Sequence, residues 1–241
     1  MLKVHSIETF GTHDGPGVRM VVFVQGCNFR CKYCQNPDTQ NLKGGRKYFM
    51  YKLVQMAKQQ KRYFGTNGGV TVSGGEPTLQ AKDLMRFFRW LKMHKIHTAL
   101  DTNGGLLNDE VKKLLKYTDL VLLDVKHIDD RLHREVTGVS NATTLKFAEY
   151  LEKIGKPFWL RYVLVPGYTD QKEFLIKFGE HFKNYKQIER LELIPYHRFG
   201  SHKFKEMGWV YPLEHVKVPT KEQLSEAREI FKQYFKKVAG K

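Results

Sequence analysis

Apolar runs of strand length alternate with stretches of helical period along this chain, and that alternation limits its fold more than any other feature. Residues 18–24, 70–72, 97–100, 120–125, 158–165 and 191–194 read as short strands, most of them rich in Val, Ile and Leu, as buried strands are. Residues 51–64, 83–93, 108–116, 145–154 and 170–184 read as helices, with Asn108 and Asp170 placed to cap two of them. Thr220 with Gln223 three residues on forms a capping box for a last helix running to about Val238. Residues 2–10 read as a strand that returns through the turn at 11–17, while 35–47 and 198–219 read as irregular connections. Strands alternating with helices imply a parallel sheet with crossover helices. About six such units fall short of the eight of a closed barrel. The expected fold is therefore α/β, a partial, open (β/α)6 TIM-like barrel. No linker divides it, so residues 1–241 are expected to form one domain, with a hairpin at about 2–24, a barrel core to about 197, and a C-terminal connection and helix at 198–241.

The chain has three cysteines, Cys27, Cys31 and Cys34, and all lie in one CxxxCxxC segment directly after the first buried strand. Thiolates hold iron–sulfur clusters, and a cubane cluster takes four ligands. Three thiols would leave one iron open, and an open coordination position is where metal chemistry occurs. A structural zinc site completed by one of the ten histidines is the alternative, although the loop lacks the paired spacing such sites favour. The spacing resembles that of the radical S-adenosylmethionine (SAM) enzymes. In that superfamily the three cysteines hold a [4Fe–4S] cluster, SAM binds the fourth iron, and an electron from the cluster releases a 5′-deoxyadenosyl radical. Tyr33 matches the aromatic that the superfamily often places between the last two cysteines.

Composition narrows the setting. No apolar run approaches the length of a membrane span, and the N-terminus lacks an apolar signal core, so a cytoplasmic protein is expected. Three clustered cysteines argue against a disulfide framework. The formal net charge of +16 favours acidic partners. The basic residues are spread over helical stretches, which reads as solvated faces rather than a nucleic-acid site.

The unusual polar groups fall where the strands end, which is where sites form in parallel β/α folds. The cysteine loop follows the first buried strand, Ser73-Gly74-Gly75-Glu76 the second, Asp101-Thr102-Asn103 the third, Asp124 and Lys126 the fourth, and His197 the sixth, with Arg161 inside the fifth. This chemistry suits SAM. Gly-Gly backbone carbonyls can meet its amino group, Lys126 can offset its carboxylate, and Asp101 with Asp124 can offer hard oxygens to a cation.

Beyond the loop, nearly the whole chain resembles the pyruvate formate-lyase activating enzyme family. The resemblance rests on Asp14-Gly15-Pro16-Gly17-Val18-Arg19, Gln25-Gly26-Cys27, Tyr33-Cys34, Ser73-Gly74-Gly75-Glu76, Asp101-Thr102-Asn103-Gly104, Asp124-Val125-Lys126, Thr137-Gly138-Val139-Ser140-Asn141, Arg161-Tyr162-Val163 and Pro195-Tyr196-His197. It implies an oxidoreductase of anaerobic glucose metabolism that takes a hydrogen from a backbone glycine of pyruvate formate-lyase and leaves a glycyl radical. It assigns Cys27, Cys31 and Cys34 to the cluster. Tyr33, Cys34, Gln35, Gly75, Asp124, Val125, Lys126 and His197 would contact cofactor, and Asp101, Thr102 and Asp124 would hold a monovalent cation. Asp14 and Arg19 would belong to the surface that receives the glycine loop. Gln35 stands where the family commonly has His. Other readings are an activase of another glycyl radical enzyme, a radical SAM enzyme acting on a small molecule or RNA, and a non-enzymatic iron–sulfur redox protein. A flavodoxin or ferredoxin is the expected electron donor, and the chain is expected to be a monomer.

Overall fold

A computed structural model describes residues 1–240. Contacts gather them into two compact units. The first comprises Met1–Asn28, Thr39–Thr102 and Leu106–Leu122, and the second Phe29–Asp38, Asn103–Gly105 and the chain from Leu123 onward.

In the first unit, β1 (Leu2–Gly11) and β2 (Arg19–Val24) form an antiparallel pair with Ile7 opposite Val22. β3 (Arg46–Tyr48) lies antiparallel on the other side of β1. β4 (Gly69–Gly74) runs parallel to β2, and β5 (His97–Thr102) parallel to β4. Three helices complete the unit: α1 (Met50–Gln60), α2 (Ala81–Met93) and α3 (Asp109–Leu115). Leu84, Phe87, Phe88 and Leu91 recur at helical spacing along α2 and are fully buried, which is the face a sheet-covering helix needs. β6 (Leu120–Asp124) starts in this unit and ends in the second.

The second unit carries α4 (Asp130–Thr137), α5 (Ala142–Lys153), β7 (Phe158–Leu164), α6 (Lys172–Phe182), β8 (Ile188–Pro195), α7 (Ser201–Glu206), α8 (Lys221–Lys232) and β9 (Val238–Ala239). β7, β8 and β9 run parallel. Tyr162 on β7 meets Phe178 on α6 and Phe231 on α8 edge-to-face, at 5.0 and 5.5 Å between ring centres. Such pairs add about 0.5–1.5 kcal/mol beyond their buried area. Within the first unit the strand order is β3-β1-β2-β4-β5, with β3 at an edge, and within the second β7-β8-β9, with β9 at an edge. Among the described residues no helix is long and apolar enough to cross a membrane.

The six expected buried strands are β2, β4, β5, β6, β7 and β8. Several local expectations need correction. The 35–47 connection is not wholly irregular: it contains a 3₁₀ turn at Pro37–Thr39 and the first residues of β3, from Arg46. α4 was not expected, because its buried face is His133, Val136 and Thr137, which carries little apolar signal. Asp170 does not cap α6. Gln171 occupies the cap position, and Asp170 instead accepts from the Gly167 amide at 2.8 Å. The 198–219 connection holds α7, and the last helix stops at Lys232, after which the chain turns into β9. The capping box at Thr220 and Gln223 is formed as expected, as is the Asn108 cap, which accepts from Val111 N at 3.0 Å.

Arg19 opens β2 and is completely buried. Its guanidinium donates to Thr71 Oγ1 at 2.6 Å, to the Pro16 carbonyl at 2.9 Å, to the Val70 carbonyl at 3.0 Å and to His97 Nδ1 at 3.1 Å. Thr71 passes the linkage on by donating to the Asp14 carbonyl at 2.6 Å. The side chain thus ties the 14–17 turn to β4 and β5 from inside. Burial lowers the Arg19 pKa to about 10, against the pull of the Asp14 and Asp119 charges, and the cation survives there because its fork of donors is satisfied. Arg19→Ala strands several buried acceptors at once and is expected to cost about 3–5 kcal/mol. Arg19→Lys should recover only part of that in denaturant titrations, because one ammonium cannot span the same set.

His127 in the second unit is also fully buried, and burial pushes its pKa down to about 4. Its Nδ1 accepts from the Asp129 amide at 2.9 Å, a bond that needs the unprotonated nitrogen. The unfolded chain takes up this proton near the ordinary histidine value of about 6.5. The native chain resists until about pH 4. The native advantage is therefore complete above the ordinary value and is lost as pH falls through that window. Stability at pH 5 should lie up to about 2 kcal/mol below that at pH 7.5 from this group. Chemical denaturation of His127→Asn at both values should show a smaller difference than the parent chain.

Candidate functional site

The first cysteine is positioned by glycines. Cys27 follows Gly26, whose φ of +100° suits glycine. The Gly26 amide donates to the Thr39 carbonyl at 2.7 Å and the Cys27 amide to the Gln40 carbonyl at 3.3 Å. The end of β4 closes against the same turn, with Gly75 N donating to Val24 O at 2.9 Å and Glu76 N to Gly26 O at 2.7 Å. A Cβ on Gly75 would lie 2.1 Å from the Gly26 carbonyl oxygen, and one on Gly74 only 2.5 Å from Val24 N. The double glycine at the strand end is thus required by main-chain contact alone.

The acid beside it has a structural task that the sequence did not reveal. Glu76 is fully buried. Its Oε1 accepts from Thr78 N at 2.9 Å, Thr78 Oγ1 at 2.6 Å and Thr102 Oγ1 at 2.7 Å. It therefore caps the 3₁₀ turn Pro77–Gln80 and joins the ends of β4 and β5. Next to Thr102, Asp101 accepts from Ser73 Oγ at 2.6 Å. Two of the three residues expected around a cation are thereby held at neighbouring strand ends of the first unit; the third, Asp124, belongs to the second. Among the described residues, no three His, Cys, Asp or Glu side chains gather where a single ion would sit.

In the second unit, Cys31 and Cys34 share a tight turn in which Cys34 N donates to Cys31 O at 3.1 Å. None of the three cysteines is in a disulfide, and each is partly exposed. Tyr33 points the other way. It is buried among Val165, Tyr196, Phe204 and Leu213, with its hydroxyl in no hydrogen bond. Burial raises its pKa well above the usual phenol value. The Lys126 ammonium lies 5.8 Å from the centre of that ring and 2.9 Å from Asp124 Oδ2. Burial works against the Lys126 charge, but the Asp124 carboxylate, with Tyr33 and Cys31, outweighs it and holds the pKa above that of an ordinary lysine. Val125 between them is fully buried, its amide bonded to the Arg161 carbonyl at 3.2 Å. Arg161 itself pairs with Glu192 on β8 at 3.3 Å.

The flank after Cys34 is pinned by the chain beyond β8. Gln35 Nε2 and His197 Nε2 lie 2.6 Å apart, and burial lowers the His197 pKa. A Cβ on Gly200 would come within 2.6 Å of the Cys34 carbonyl oxygen. Lys203 donates to Asn36 Oδ1 at 2.8 Å and pairs with Asp38 at 3.1 Å. The second unit therefore brings together Cys31, Tyr33, Cys34, Gln35, Asp124, Lys126 and His197, and the first unit holds Cys27, Gly75, Asp101 and Thr102. One expectation changes: Arg19 has no exposed surface to offer a partner. It acts as an internal brace for the turn that carries Asp14. An all-thiol donor set, with a buried cation close to Cys31, fits an anionic iron–sulfur cluster better than a mononuclear site.

Known proteins agree with this donor chemistry. Residues 21–179 match the family model described as the radical SAM superfamily. A curated pyruvate formate-lyase-activating enzyme from Streptococcus mutans is 46% identical, over 98% of this chain and 94% of its own. One from Staphylococcus epidermidis is 46% identical, over 94% of both. Among solved structures, a domain of pyruvate-formate lyase-activating enzyme from Bacteroides vulgatus superposes with a TM-score of 0.61 at 23% identity, covering 72% of this chain and 99% of that one. SuiB of Streptococcus suis bound to S-adenosylmethionine gives 0.69 at 19% identity, covering 90% of this chain and 48% of that one. These structural likenesses concern the fold. The chain belongs to the radical SAM superfamily and, within it, to the family of pyruvate formate-lyase-activating enzymes.

Proposed function

We propose that this chain activates pyruvate formate-lyase by making a glycyl radical on it. The observation that carries the reading is identity of 46% along 98% of the chain to an enzyme of that name, together with a thiol loop that keeps all three cysteines. The cofactors are a [4Fe–4S] cluster and SAM. When bound and reduced, the cluster supplies the electron that splits the sulfonium of SAM and so provides the carbon radical that removes the glycine hydrogen.

The chain's own residues bind and orient. Cys27, Cys31 and Cys34 would hold the cluster as its thiolate ligands. Lys126, kept charged by Asp124, offsets the anionic cluster and the SAM carboxylate. Gly75 and Val125 are assigned to SAM through their backbone. Tyr33 backs the loop with its ring, while Gln35 and His197 stand as a bonded pair beside Cys34. Asp101, Thr102 and Asp124 supply the oxygens for a monovalent cation. The turn at Asp14, braced by Arg19, belongs to the surface that meets the lyase. We assign the chain to a single radical SAM domain that works as a monomer in the cytoplasm, in anaerobic glucose metabolism. A small acidic flavodoxin or ferredoxin suits the net charge of +16 as electron donor.

The deciding experiment mixes anaerobically reconstituted enzyme, reductant and SAM with pyruvate formate-lyase. A glycyl radical signal in electron paramagnetic resonance (EPR), with 5′-deoxyadenosine formation that rises with the lyase, is expected. Product that ignores the lyase would send the search to another substrate; a loaded cluster that cleaves no SAM would reduce the chain to a redox protein. Cys31→Ala should abolish cluster binding. Lys126→Ala should retain the cluster but bind SAM about tenfold more weakly, the loss of one charge-assisted contact. Unchanged SAM affinity in that variant would remove Lys126 from the site.

A further inference from the structure

The motif Thr137-Gly138-Val139-Ser140-Asn141 has no part in the assignments above, yet it adjoins the cysteine loop in the second unit. α4 ends at Thr137, and Gly138 follows in the left-handed region at φ +82°. The last carbonyls of a helix lack partners within it. Here the Val136 carbonyl accepts from the Lys32 amide at 2.9 Å and the Thr137 carbonyl from the Arg30 amide at 2.8 Å. These are the two main-chain donors on either side of Cys31. The loop therefore hangs from the end of α4 by its backbone.

His133 governs that end. It is fully buried, and its Nδ1 lies 2.7 Å from the Val139 carbonyl, which can only accept, so Nδ1 carries the proton and donates. Its own carbonyl accepts from Thr137 Oγ1 at 2.7 Å. Its ring stands edge-on to Phe29 of the loop at 5.6 Å between centres. The rest of the motif holds the turn closed: Asp130 accepts from Ser140 Oγ at 2.6 Å and Asn141 N at 3.0 Å, and Asn141 Nδ2 donates to Ile128 O at 2.8 Å.

We propose that His133 is a positioning residue for the cluster: by holding the Val139 carbonyl it fixes the helix-end carbonyls from which Arg30 and Lys32 hang, and so sets Cys31 before any iron arrives. The inference rests on the reading that the three cysteines hold the cluster. It has a chemical corollary. Hydrogen bonds to cluster sulfur tune the cluster's electronic state, and the two amides nearest Cys31 are occupied elsewhere while α4 keeps its end. Loosening that end releases two donors beside the cluster.

The test uses iron and sulfide uptake by the whole chain and the EPR spectrum of the reduced cluster, neither of which needs the lyase. His133→Phe keeps a ring against Phe29 but cannot donate. Its apo form is expected to unfold close to the parent chain yet to bind cluster about tenfold more weakly, as loss of an outer-shell partner does, with a displaced EPR spectrum. His133→Asn, whose amide can reach the same carbonyl, should restore both. Parent-like uptake and spectrum in His133→Phe would overturn the proposal, as would failure of His133→Asn to rescue. If His133→Phe does not fold, Gly138→Ala strains the same left-handed turn, and parent-like uptake there would count equally against it. Failure of the parent chain to activate the lyase would end the substrate reading alone, whereas failure of the parent chain to hold a cluster would end both.

Discussion

The end of β4 lies so close to the turn before Cys27 that β4 can carry no side chain at the point of contact. Gly75 faces the Gly26 carbonyl at a separation a Cβ would reduce to 2.1 Å. Two main-chain bonds, Gly75 to Val24 and Glu76 to Gly26, hold the approach. Everything at the first unit's strand ends follows from it. Glu76, carried by the same backbone, is buried where it can gather Thr78 and Thr102, and Thr102 then presents Asp101 beside Ser73. The sheet edge is thus assembled from main chain and buried hydroxyls, which are stiff and cheap in rotamer entropy.

In the second unit the organising element is charge taken out of water. Lys126 and Asp124 are mostly buried and compensate each other, which a lone buried charge could not do at acceptable cost. The pair sits over a phenol that burial keeps neutral. A positive centre near Cys31 is in place without help from any ligand. That favours thiolate over thiol in a reading where the cysteines bind metal.

How much of this was legible in the sequence depended on whether a residue's task leaves a pattern. Short apolar runs announced β2, β4, β6, β7 and β8, the alternation of strands and helices placed β5 among them, and the CxxxCxxC spacing announced the site. The Thr220–Gln223 cap was readable because its two partners stand at a fixed interval. α4 was not, because its inward face is His133, Val136 and Thr137, held by hydrogen bonds rather than by apolar burial. β3 and β9 escaped for another reason: strands of three and two residues are set by pairing to a neighbour, which no local window contains. The family resemblance put Arg19 on the surface that receives the glycine loop, and nothing local in the sequence marks it as buried. Only the converging acceptors of Pro16, Val70, Thr71 and His97 make its burial possible.

The amides of Arg30 and Lys32 hang from α4, so the backbone beside Cys31 is placed by main-chain bonds, while the side chains make separate local contacts, Arg30 to the Phe29 carbonyl at 2.8 Å and Lys32 to Glu135 at 3.4 Å. Position and composition are partly uncoupled in this loop. The exposed Arg30 can differ in charge or length with little effect on the main-chain bonds that place Cys31, whereas the buried Phe29 and Tyr33 cannot. A loop held by its main chain can present a differently charged face to a partner at the cost of a few local side-chain contacts, with its backbone still fixed at α4.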